Sequence, residues 1–321
     1  MKSKSLVFGV VLGVAGLLAQ PLLASELLIG STSSASSHYG YFVAATRVIN
    51  ENAEGVSATV VETGATVDNL RRLSREQVDL GLVTTNIGYQ AFKGLNDFEG
   101  RPVQTKLLWV YTVAPQNVVM RADAGVTQLE ELNAIRLNPG IRGSATEATS
   151  EAVFAALGIA PEFVSGSTAD VVASVKDNRI AGYVKSGVGN KLDGSSLDIA
   201  TFTDVTVLDL SDAQIATLRE TMPDVGIVSV PAGAGPGIEA YDTWAFAVGV
   251  AARANLDEET AYRITKAINE NVGPQAAAFG ALEGQNIAEM TMQQGTFPLH
   301  PGALRYYREI GQDVPSRLIA E

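Results

Sequence analysis

The side chains that most often carry out catalysis are scarce in this chain. It has two histidines, His38 and His300, and no cysteine. A serine hydrolase needs a nucleophile, a histidine base and an acid that orients the base, and no Gly-x-Ser-x-Gly elbow occurs. Metal sites recruit histidine, cysteine or closely spaced carboxylates, and the two histidines lie far apart in the sequence. Gly30-Ser31-Thr32-Ser33 follows a strand and opens towards a helix, as a phosphate-gripping loop would. It lacks both the Lys-Ser/Thr ending of a nucleotide loop and the three glycines of a dinucleotide fingerprint. What remains is the chemistry of hydroxyls and amides, which suits reversible binding of a polar solute with no cofactor and no metal.

Ligands of α/β folds sit beyond the carboxyl ends of the strands, where helix N-termini point free amides into a crevice. Four segments fall there. Ser31 to Tyr41 offers Ser33, Ser34, Ser37, His38 and Tyr39; Thr63 to Val67 offers Thr63. Thr84 to Tyr89 offers Thr85, Asn86 and Tyr89; Arg142 to Glu147 offers Arg142, Ser144, Thr146 and Glu147. Lys185-Ser186-Gly187 follows a strand and adds positive charge. Each has a plainer alternative: Ser144 as a simple helix cap, Arg142 as a solvated arginine, Tyr39 and Tyr89 as rings packed at an edge.

Those loops require a framework, and short apolar strands alternating with amphipathic helices read as an α/β fold with largely parallel sheets. Leu27–Ile29 is the first strand, followed by a loop to His38 and a helix to about Asn52. Val56–Val61 is the second strand, and Thr66 is expected to cap a helix with Val67, Leu70 and Leu73 on one face. Leu80–Val83 reads as a buried parallel strand. Leu107–Val113 and Val118–Met120 flank Ala114-Pro115-Gln116-Asn117, read as a crossing between lobes. Capping boxes are expected at Thr127 with Glu130 and Ser144 with Glu147, and looser ones at Ser167 with Asp170 and Ser211 with Gln214. Ile180–Val184, Ile199–Phe202 and Ile227–Val230 read as strands of a second lobe. Thr243–Val250 returns to the first, and Asp257 opens a long helix. Two crossings make a hinge and a cleft. Lobe I is expected over residues 25–112 plus 240–321, and lobe II over 113–239.

The start of the chain points to export. Lys2 and Lys4 precede an uncharged apolar run from Leu6 to Leu18, and cleavage is expected after Ala24, making 1–24 a signal peptide. The run is shorter than the ~20 residues that span a bilayer. Losing Lys2 and Lys4 takes the formal net charge from −12 to −14. Such a surface repels nucleic acid and anionic lipid, so any attraction for an anionic ligand has to be made locally. The absence of cysteine excludes disulfides and a lipid-modified N-terminal cysteine.

Several stretches together resemble a known family. They are Ile29-Gly30-Ser31-Thr32-Ser33, His38-Tyr39-Gly40-Tyr41, Glu62 to Leu70, Val78 to Asn86, Gly143 to Glu147, and Phe297-Pro298-Leu299-His300-Pro301-Gly302-Ala303 leading to Tyr306-Tyr307. In this order they resemble the TAXI solute receptors that serve TRAP transporters. The resemblance implies a two-lobed periplasmic binding protein fold, type II-like, with two crossovers between lobes and a ligand cleft. It also implies closure on a small organic acid or amino acid such as glutamate or 2-oxoglutarate, and delivery to integral membrane permease subunits driven by an ion gradient. It places His300-Pro301-Gly302 in a structural signature. The chain departs from the family in its first loop, where Ser33-Ser34-Ala35-Ser36-Ser37 replaces a glycine-rich run. A receptor of an ABC importer or of a membrane sensor, an exported enzyme and a structural envelope protein remain as alternatives. A monomer is the default expectation.

Overall fold

The structure, a computed structural model, describes residues 25–320; the expected export signal over 1–24 lies outside the described residues. The order is β1 (Ser25–Gly30), α1 (Ser37–Asn52), β2 (Val56–Val61), α2 (Thr66–Ser74), β3 (Leu80–Thr84), α3 (Thr85–Lys93) and the long β4 (Lys106–Arg121). There follow β5 (Arg136–Asn138), α4 (Ala145–Ala156), β6 (Glu162–Phe163), α5 (Thr168–Lys176), β7 (Gly182–Ser186), α6 (Gly194–Ala200), β8 (Val205–Val207) and α7 (Asp212–Thr221). The last part holds β9 (Gly226–Val230), β10 (Tyr241–Ala252), α8 (Glu258–Glu270), α9 (Val272–Ala278), α10 (Ile287–Gln294) and α11 (Pro301–Glu309).

The strands lie in the order β2-β1-β3-β10-β4-β7-β5-β6, with β8 also on β4 and β9 also on β10. β1 pairs in parallel with β2 and β3, and β5 with β6 and β7. β10 and β4, by contrast, run antiparallel to their neighbours. The sheets are therefore mixed, not largely parallel as the strand–helix alternation suggests. The two antiparallel strands are the crossovers. β4 pairs with β10 up to Pro115, and from Gln116 onward with β7. The result is a two-lobed α/β periplasmic-binding-protein fold.

Local chemistry explains the elements that position the cleft. β3 lies between β1 and β10 and is buried along its whole length, as an apolar strand covered on both faces should be. Asn69 on α2 donates to the carbonyls of Ser31 and Leu82 at 2.9 and 3.0 Å, tying the ends of β1 and β3 to the helix. α8 starts where Asp257 accepts from the Thr260 amide, and it buries Ala261, Ile264, Thr265 and Ile268, one helical face. α11 begins at His300, whose Nε2 donates to the Leu256 carbonyl and whose Nδ1 accepts from the Gly302 amide. A side chain at Gly302 would collide with the Glu258 carbonyl on α8, so the close approach of α8 and α11 requires glycine. Among the described residues no helix is long and apolar enough to cross a membrane.

Four local expectations are corrected. β4 runs without a break through Ala114–Asn117. Pro115 has no N–H to lose, and its carbonyl is used, accepting from the Gly187 amide at 2.7 Å. Ile199–Phe202 is not a strand: α6 occupies Gly194–Ala200, with Ile199 buried and Phe202 66% exposed. Asp193 caps that helix through the Ser195 amide, which overrides the β-propensity of the apolar pair. Thr66 is the first residue of α2, not its cap; the amides of Val67 and Asp68 donate instead to the Gly143 carbonyl across the cleft. The capping box near Thr127 sits one residue later, between Gln128 and Glu131, whereas the Ser211–Gln214 box is fully reciprocal.

Candidate functional site

Between the two sheets lies a cavity of about 50 Å³. One wall is the sheet face of the first lobe. Leu82 and Thr84 on β3 and Phe246 and Val248 on β10 line it, each pair two residues apart and therefore on one face, with Thr84 directly opposite Val248. The first turn of α2 adds Ala65 and Thr66. The facing wall comes from α4 (Ser144, Ala145, Thr146), α5 (Thr168, Val171) and the end of β7 (Tyr183 to Ser186). The first turns of α2, α4 and α5 thus meet at one space, where helix N-termini bring partial positive charge, although the Val67 and Asp68 amides of α2 are taken by Gly143.

Three hydroxyls in this lining are buried with no hydrogen-bond partner among the described residues. They are Thr66, Thr84 and Thr168, at 0%, 2% and 1% exposure. Buried polar groups are nearly always bonded; of nine unbonded side-chain atoms among the described residues these three gather at one cavity, which suits a polar ligand. Ala65, which precedes Thr66, takes φ 68° and ψ −147°, a backbone state that ordinary residues avoid and that costs of order 1–3 kcal/mol. Gly140 in the lining has φ 139°, where a side chain would meet the Glu147 amide.

Beside the cavity, a second polar cluster joins the lobes. Asp193 is fully buried. It accepts from the Ser37 amide (2.9 Å), the Ser36 hydroxyl (3.2 Å), the Ser195 amide (3.0 Å) and the Ser195 hydroxyl (2.6 Å). Lys185 Nζ donates to Ser36 Oγ at 3.0 Å and lies 3.8 Å from Asp193. Burial pushes the Asp193 carboxyl up, but Lys185, the Ser195 groups and His38 outweigh it and hold it below the usual carboxylate range. The Gly194 amide donates to Ser37 Oγ at 2.9 Å. His38 completes the cluster: Nε2 donates to the Gly187 carbonyl (3.3 Å), so Nδ1 accepts from the Tyr111 hydroxyl (2.8 Å). Burial lowers this imidazole to about 4, against an opposing pull from Asp193. Farther along the cleft, Asn86 donates to Thr149 and Gln90 to Asp224.

The sequence-derived candidates distribute over these features. His38, Ser144, Thr146, Lys185 and Ser186 line the cavity. Thr146 and Ser186 both donate to Oε1 of Gln116 on β4, at 2.9 and 3.1 Å. Ser37 belongs to the Asp193 cluster. Ser33, Thr63 and Arg142 line a different, shallower groove with Glu62, and Arg142 is exposed there. Ser34 is exposed, its amide donating to Glu62. Glu147 accepts from the Gly143 amide rather than facing the cavity. Thr85 and Asn86 are buried on α3, with Asn86 bonded across the cleft; Tyr39 is half-buried on α1 and Tyr89 is 37% exposed. Sequence reasoning missed Asp193, Thr66 as a wall residue, Thr84 and Thr168. Asp193-Gly194-Ser195 is an Asx-type cap signal that could have located α6 and its aspartate. Among the described residues no group of three or more histidines and carboxylates gathers as a metal site.

The fold has relatives among solved structures. XAC2383 from Xanthomonas citri, bound to ATP, is similar at 15% identity and a TM-score of 0.51, over 89% of this chain and 95% of that one. The substrate binding protein of an amino acid ABC transporter is similar at 12% identity and a TM-score of 0.50, over 81% of this chain and all of the other. At such identities the likeness concerns the fold. The sequence itself matches a family model from residue 29 to 311, nearly the whole described span, and the chain belongs to the NMT1-like family.

Proposed function

We propose that the chain is an extracytoplasmic solute-binding receptor that closes two lobes around a small organic acid and presents it to a membrane transporter. The observation that carries this reading is the cavity between the lobes, in which Thr66, Thr84 and Thr168 have no partner among the described residues. A catalyst would need an activated nucleophile or a poised base. Among the described residues the imidazole at the cleft, His38, is tied on both nitrogens, and the buried carboxylate, Asp193, accepts from several donors. Residues 25–112 plus 240–321 move as one lobe and 113–239 as the other, pivoting on β4 and β10. A solute that touches both lobes favours the closed form, and only that difference in affinity shifts the population. Titration with small acids, followed by scattering for compaction and by emission of the buried Trp109 and Trp244, tests it. A saturable change in both is expected. Turnover of the bound solute, or no response to any small solute, would overturn the reading.

Two transporter classes fit. The likeness in fold to the substrate binding protein of an amino acid ABC transporter favours an ATP-driven importer. The stretches resembling TAXI receptors, above all Phe297 to Ala303, favour a TRAP permease driven by an ion gradient. Uptake that stops when ATP is depleted but survives collapse of the ion gradient selects the first, and the converse selects the second.

A further inference from the structure

We infer that the solute held in this cavity is a short monocarboxylate with an apolar tail. This rests on the receptor reading above and narrows it. Size is the first argument. The cavity is tight, with about 50 Å³ of space against about 360–570 Å³ in the other grooves, which favours a small solute. Charge is the second. Among the described residues Lys185 is the one charged side chain in the lining; one of its N–H groups is committed to Ser36 and Asp193 lies 3.8 Å away, beyond hydrogen-bond distance, so two N–H groups remain to donate. His38, tied to Tyr111 and Gly187, is neutral. One carboxylate can therefore be matched by Lys185, by donation from Thr66, Thr84 and Thr168, and by the helix N-termini. A second carboxylate would find no second cation, because Arg142 is exposed on another groove.

Amino acids are disfavoured on a separate ground. An ammonium group needs acceptors, yet no carboxylate lines the cavity. Asp193, the nearest in the cleft, already accepts from Ser36, Ser37 and Ser195 and faces Lys185. The remaining wall of Leu82, Phe246, Val248 and Val171 gives a hydrocarbon tail a place to leave water. An inorganic anion would leave that wall uncovered.

Calorimetric titration of the purified chain with acetate, propionate and butyrate, against succinate, 2-oxoglutarate, glutamate, alanine, propionamide and inorganic phosphate, tests the inference. One of the short monocarboxylates should bind at least tenfold more tightly than every other compound. Lys185→Met should weaken it by tenfold or more, and Phe246→Ala should shift the preference to a longer chain. Should Lys185→Met fail to fold, Thr84→Val, which leaves the Asp193 cluster intact, should weaken the same acid severalfold. Tighter binding of a diacid, an amino acid, the amide or phosphate would overturn the inference while the receptor reading stood. Absence of saturable binding and of lobe closure with every compound would overturn both.

Discussion

Asp193 and the three threonines Thr66, Thr84 and Thr168 lie in the same cleft and are equally hidden from solvent, but their bonding differs. Around Asp193 several donors converge from both lobes. In the cavity the threonine hydroxyls have no partner among the described residues. A fully bonded buried network fixes one arrangement of the chain, whereas an unbonded group costs its desolvation until something pairs with it. The first region therefore holds the lobes together through the protein's own groups. On the proposed receptor reading, the second would put a penalty on closure that a suitable solute removes.

That contrast can be broken at four places. Asp193→Ala leaves Lys185 and the Ser36–Ser37 donors buried without their anion, and removing one partner of a buried charged cluster costs about 3–5 kcal/mol. Urea unfolding should show a loss of that size, and Asp193→Asn a smaller one. Acid should loosen the same region. The unfolded imidazole of His38 protonates near 6.5 and the folded one at about 4, so the unfolded chain binds more protons in between. The contribution of His38 is full above pH 6.5, falls as the pH drops towards 4 and is flat below. It amounts to on the order of 3 kcal/mol, and the difference in melting temperature between the wild type and His38→Gln across that range measures it.

Substitutions in the cavity should act in the opposite sense. Thr168→Val deletes an unbonded hydroxyl at nearly constant shape. The chain without solute should become more stable by about 1 kcal/mol or stay unchanged, while affinity for the solute falls. A loss of stability would mean that the hydroxyl is bonded after all and that the contrast is false. The smallest effect is expected at Arg142. Its exposure on a separate groove predicts that Arg142→Ala leaves solute affinity within about twofold, in contrast to Lys185→Met.

What the sequence made legible followed from local physics. Strand β2 falls on Val56–Val61 as read, and the caps Ser144, Ser167 and Ser211 all accept the expected amides, because periodicity and capping depend on neighbours in the chain. The misreadings share a different cause. Thr66 looks like a cap until Gly143 arrives from the other lobe to take the amides. Pro115 looks like a strand break until Gly187 uses its carbonyl. Asp193 looks like one acidic residue among many, since its partners Ser36 and Ser37 lie more than 150 positions away. Of these, Thr66 lines the cavity, and no window of sequence contains the partner that explains it.

The crossovers are β4 and β10, and they stay hydrogen-bonded to each other from Ala245–Pro115 to Ala252–Lys106, with irregularities at Val248/Gly249 and Val250/Ala251. A paired ribbon with such bulges is bent while it stays paired, so under the proposed closure it would act as a leaf spring rather than a tether. Gln116, at the point where β4 changes partners, receives both Thr146 and Ser186 from the cavity rim. Under the proposed closure, displacing those two hydroxyls would load the spring at that point. Amide protons along the ribbon should then exchange slowly whether the lobes are apart or together.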